Sequence, residues 1–147
     1  MYFQTDGVSK VLCSLRVPFP EGTPNVIEQS EAGLTDPGNP TRQKLVSGSI
    51  VSKTEEEYQA DCIAEWTAGV QWISKYYVIQ RMKALGKYAD GIAMLKANDE
   101  AYQDWLAATD LNRTNAVLLG MLSTLSITMD QLLDGYYEYV QSLNPLR

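Results

Sequence analysis

At 147 residues, with 45% apolar and 20% charged side chains, the chain has the length of one domain and enough apolar surface to bury a core, which excludes a disordered polymer. Net charge is −6 and uneven: residues 1–53 carry five basic and five acidic groups, residues 88–147 three and eight. An acidic C-terminal half repels phosphate backbones and anionic lipid, so neither nucleic acid nor membrane is an expected partner.

The chain divides near residue 53 by composition. Tyr2 to Thr5 and Val8 to Val17 flank Asp6-Gly7, which predicts a β-hairpin with a type I′ turn. In the second strand Val11, Cys13, Leu15 and Val17 alternate with Lys10, Leu12, Ser14 and Arg16, so the first set is expected on one buried face. The opening residues show no charged stretch followed by an apolar one, so no targeting segment is expected. Five of the six prolines lie between Pro18 and Pro40, among Gly22, Gly33 and Gly38. Proline fixes φ and lacks a donor, so no long helix crosses this stretch, which reads as an extended arm. Leu45 to Val51, interrupted by Gly48, reads as a short further strand.

From residue 54 the pattern is helical. Thr54 with Glu57 forms a capping box, and the first helix is expected to run to about Gly86, with acids at its start and Lys75, Arg81, Lys83 and Lys87 at its end. Cys62, Ile63, Trp66, Val70, Ile73 and Tyr77 share one face at ~100° per residue, with Trp72, Tyr76 and Ile79 beside it. Tyr88, Ile92 and Leu95 mark a second helix. Asn98 caps a third, over Asp99 to Thr109, with Tyr102, Trp105 and Leu106 inward. Leu118, Leu122 and Leu125 mark a fourth. Thr128 with Gln131 caps a final helix carrying Met129, Leu132, Leu133, Tyr136, Tyr137 and Val140. The expected fold is therefore mainly α: a helical bundle with a long first helix (54–147), preceded by a short β-hairpin and a Pro/Gly-rich arm (1–53).

Chemistry is sparse. The chain has no histidine, which removes Ser-His-Asp and Cys-His catalysis and histidine-ligated zinc. No phosphate-binding glycine motif or nucleophile elbow occurs. Cys13 and Cys62 stand far apart and read as buried free thiols. Glu57, Asp61 and Glu65 recur every four residues and offer oxygen ligands to Mg²⁺, as a nucleotide hydrolase needs; Glu100 and Asp104 make a second acidic pair. The plainer reading is a solvated helix start, where the dipole favours acids. No catalytic residue, metal or cofactor is assigned.

Lys83-Ala-Leu-Gly-Lys-Tyr88, Tyr102-x-x-Trp105-Leu-Ala-Ala-Thr109, Leu111-Asn-Arg113-Thr-Asn115, Leu118-Leu-Gly-Met-Leu122 and Leu125-Ser-Ile-Thr128-Met-Asp-Gln131-Leu-Leu133 together resemble small proteins from the tail-gene regions of tailed bacteriophages. The resemblance covers about residues 75–140. Where that family often has proline, this chain has Ala116. The resemblance implies phage origin and no catalytic residues. Arg113 is expected to bond a carbonyl or carboxylate between helices, and Asn115 or Thr114 to cap the next one.

The expectation is a non-enzymatic virion component, tail- or fibre-associated, assembled in the bacterial cytoplasm. Its partners are other phage structural proteins or copies of itself in a ring. Interface candidates are Phe3, Val11, Leu15, Pro18, Phe19 and Pro20 on the hairpin and arm, and Trp72, Tyr76 and Ile79 on the first helix. The alternatives are an assembly chaperone absent from the finished particle and a Mg²⁺-dependent nucleotide hydrolase.

Overall fold

The computed structural model describes residues 1–143. Helix takes up 48% and strand 19% of them, so this is a mixed α/β chain, more helical than strand. Contacts divide it into two units, Met1–Cys62 and Ile63–Arg147.

The first unit corrects the expected arm. β1 (Tyr2–Thr5) is the central strand of a sheet ordered β2-β1-β3, antiparallel to β2 (Val11–Leu15) and β3 (Val26–Glu28). β4 (Gln43–Val46) and β5 (Ser49–Ser52) make a second hairpin. Phe3, Val11 and Ile50 are buried together, with Ile27, Leu34 and Leu45 packed against them. The proline-rich segment folds back because two glutamines satisfy backbone groups that would otherwise need water. Gln29 donates to the Ile50 carbonyl at 2.7 Å and accepts from the Ile50 N–H at 2.8 Å. Fully buried Gln43 donates to the Thr35 and Asp36 carbonyls at 2.7 and 3.2 Å.

The turns also differ from expectation. The β1–β2 hairpin exists, but its loop runs through Lys10. The Asp6 carboxylate gathers the N–H groups of Val8, Ser9 and Lys10 at 2.8–2.9 Å, which a two-residue type I′ turn does not require. A bulge opposite Gln4/Thr5 leaves Leu12 unpaired, so the expected alternation fails. Val11 is buried, Cys13 half-buried, and Leu15 and Val17 exposed. The left-handed pair instead sits at Ser47 (φ 50°) and Gly48 (φ 80°), which turns the one strand expected over Leu45–Val51 into a hairpin.

α1 (Glu55–Gly69) starts with the expected capping box: Thr54 Oγ1 accepts from the Glu57 N–H at 3.2 Å, and Glu57 Oε2 from the Thr54 N–H at 2.9 Å. The long first helix is a second correction. α1 ends at Gly69, and β6 (Trp72–Ser74) follows before α2 (Lys75–Ala84). Val70, Ile73 and Tyr77 keep helical spacing by coincidence. Ile73 is buried because β6 pairs with β7 (Asp110–Asn112), where it stands opposite Leu111. Cys62, expected to face inward, is exposed.

The next three helices stand where expected. α3 (Tyr88–Lys96), α4 (Asp99–Ala107) and α5 (Ala116–Thr124) are separate, with Asn98 and Asn115 accepting from the Ala101 and Leu118 N–H groups at 3.1 and 3.0 Å. The exception is that α4 ends at Ala107, before Thr109, and Leu106, expected inward, is 54% exposed. Gly86, with φ 70°, ends the α2 turn. The final helix is broken: α6 (Met129–Leu133) has the expected capping box at Thr128 and Gln131, and extended Asp134 with Gly135 at φ 83° interrupts it before α7 (Tyr136–Leu143). Ile73, Val78, Met82, Leu95, Trp105, Leu118, Met121 and Leu132 form one buried cluster. Among the described residues no single helix is long and apolar enough to cross a membrane.

Candidate interaction surfaces

Most of the charged groups at the start of α1 and along the basic stretch after it are held by neighbouring side chains and carbonyls. In the first unit Arg42 pairs with Glu55 at 2.5 Å, Lys44 with Glu57, and Lys53 with Asp61 at 2.7 Å. Arg42 and Lys44 at the start of β4 and Lys53 after β5 thus meet the acidic start of α1 with matching bases. Arg42 and the Gln59 amide hold the Glu55 carboxyl below the usual range; Lys44 and the Thr54 N–H do so for Glu57. Among the described residues no three His, Cys, Asp or Glu side chains converge as a metal would require.

In the second unit Lys75, Arg81 and Arg113 close helix ends. Lys75 donates to the Trp105 and Leu106 carbonyls at the end of α4, at 2.8 and 3.2 Å. Arg81 donates to the Gln131 carbonyl at 2.8 Å and pairs with Asp134. Arg113 donates to the Thr67 and Ala68 carbonyls at 3.0 and 2.9 Å, completing the last turn of α1. Lys83 lies over the Tyr88 ring.

The interface candidates separate by burial. Phe3 and Val11 are core residues of the first unit, because β1 and β2 bury them against Ile50. Leu15, Pro18 and Pro20 are exposed and Phe19 half-buried. Ile79 packs half-buried against the second core. Trp72 and Tyr76 stay in water, 63% and 61% exposed.

Two apolar surfaces result. In the first unit, edge strand β2 and its flanks expose Val8 (80%), Leu12 (55%) and Val17 (64%). Just before β2, Lys10 bridges Lys44 of β4 and the Ser9 carbonyl accepts from the Leu45 N–H at 2.8 Å, and β2 itself lies against β4 and the 3-10 turn at Pro40–Arg42, so its outer edge is partly covered at that end. Leu12, an apolar residue in the polar phase of its strand, is the sequence signal of this surface.

In the second unit, β6 turns Ile73 inward and Trp72 outward, by the two-residue period of a strand. Behind Trp72 stands a cluster of Tyr76, Tyr77, Tyr136 and Tyr139, of which helical periodicity had singled out all but Tyr139. The Tyr136 hydroxyl donates to the Trp72 carbonyl at 3.4 Å, and Tyr76 stacks on Tyr139 with centroids 6.4 Å apart. Trp72 also walls a cleft of about 150 Å³ with Trp105, Asp104, Asp110, Asn112 and Asn115.

Comparison of the chain with known protein families, with curated proteins and with solved structures finds no match.

Proposed function

We propose that this chain is a non-enzymatic structural component of a tailed-phage virion, tail- or fibre-associated, and that it works through the faces it offers to neighbouring subunits. The observation that supports this reading is the pair of apolar surfaces. A chain of net charge −6 keeps Val8, Leu12 and Val17 in water in one unit, and Trp72 and Tyr76 in the other. Large apolar side chains held in water are a feature of protein contacts, and Trp and Tyr are enriched there. The motif string from Lys83 to Leu133 supplies the phage part of the reading. With the arm folded into its own sheets, binding runs through the β2 edge and the Trp72 face. An edge strand with free backbone groups can add to a partner's sheet. The partners are other structural proteins of the particle, or copies of this chain in a ring.

Leu12→Lys with Val17→Lys tests this. Both positions are exposed, so folding changes by no more than about 0.5 kcal/mol each. Incorporation into purified particles, measured by mass spectrometry, is expected to fall to background. Normal incorporation contradicts the proposal. Wild-type chain present in assembly intermediates but absent from finished particles identifies an assembly chaperone instead.

A further inference from the structure

We infer that a groove in the second unit is a docking site for a lysine-bearing amphipathic helix of a partner protein. The groove has a volume of about 420 Å³. Its floor comes from one face of α1, where Ile63, Ala64 and Ala68 leave room, and from Leu133 and Tyr137. Its acidic groups are Asp130, Asp134 and Glu138, four residues apart across the α6–α7 break at Gly135.

The charge of the groove follows from which groups are already committed. Arg113, its single base, spends its guanidinium on the Thr67 and Ala68 carbonyls. Asp134 is paired with Arg81. Asp130 and Glu138 form no ion pair among the described residues. Each sits in the first turn of its helix, where the dipole favours an acid; the dipole does not require both to face one apolar groove. An apolar floor, helical walls and two uncommitted carboxylates match a helix that presents a leucine stripe flanked by lysines. This site shares no residue with the β2 edge and stands independently of the virion reading.

The probe is a synthetic helix of ~18 residues with leucines on one stripe and lysines beside it, compared with a version carrying glutamates in place of the lysines. Fluorescence anisotropy of the labelled peptide against the full chain should show at least ~10-fold preference for the lysine version. Asp130→Lys with Glu138→Lys should lower that affinity ~10-fold, while Asp99→Lys with Glu100→Lys, outside the groove, should leave it unchanged. Ala64→Trp fills the floor without altering charge and should also abolish binding; circular dichroism confirms that each variant is folded. Equal affinity for both peptides, or undiminished binding by the groove variants, overturns the inference. So does a wild-type oligomer in sedimentation that Asp130→Lys with Glu138→Lys dissociates, because the occupant is then a second copy of this chain.

Discussion

Arg113, in the loop after β7, reaches back to the Thr67 carbonyl 46 residues earlier and closes the end of α1. The same nitrogen serves the Ala68 carbonyl, so one side chain satisfies two groups that the helix leaves without partners. Arg113→Ala should cost about 2 kcal/mol, the scale of charge-assisted hydrogen bonds lost at a half-buried site, measured by urea unfolding. Arg113→Lys should recover part of that, because an ammonium on a shorter reach still carries donors.

Ile73 and Trp72 are neighbours on one strand with opposite roles. Ile73→Ala should cost about 2–5 kcal/mol, since its side chain is fully buried opposite Leu111. Trp72→Ala should cost about 1 kcal/mol or less by thermal unfolding, while weakening the association proposed for this face. A large stability loss at Trp72 would make it part of the fold.

Much of this architecture was legible in the sequence wherever a local device sets it. The capping boxes at Thr54/Glu57 and Thr128/Gln131, the caps at Asn98 and Asn115 and the break at Gly86 all depend on residues within a few positions of each other. What stayed hidden depends on distant partners. The β6–β7 pairing joins Ile73 to Leu111, and three residues of strand cannot be told from a helical stripe by period alone. The folding back of the proline-rich segment rests on Gln29 and Gln43, polar residues whose buried bonds no periodicity announces. The candidate surfaces were half legible: Trp72 and Tyr76 stood off the main stripe and Val11 lay on the strand face expected to be buried, but Phe3 could be placed in the core only once Ile50 was known to meet it.

Acid should weaken the first unit specifically. Glu55 and Glu57 titrate below the ordinary 4.5 because of Arg42 and Lys44, and Asp6 below 3.8 because of the Val8, Lys10 and Ser9 N–H groups. These groups bind protons less readily folded than unfolded, so their contribution is complete above about pH 4.5 and is lost as pH falls through and below it. The urea midpoint followed from pH 6 to pH 3 should drop, and Arg42→Ala with Lys44→Ala should flatten the drop. A midpoint independent of pH would show that these pairs add nothing to folding.

Gly135, at the break between α6 and α7, has φ 83°, with the Tyr77 hydroxyl 3.4 Å from where a Cβ would sit. Gly135→Val should therefore cost about 2 kcal/mol or more in thermal unfolding, through left-handed strain at a branched residue. Gly22→Ala, also left-handed at φ 85° but with open space around it, should cost only the backbone strain of about 1 kcal/mol.

The most direct measurement is a density map of the intact phage particle in which this chain is traced. The account predicts the chain in the tail, with Leu12 and Val17 or Trp72 and Tyr76 covered by a neighbouring subunit. Copies found in the particle with both faces open to solvent would contradict it.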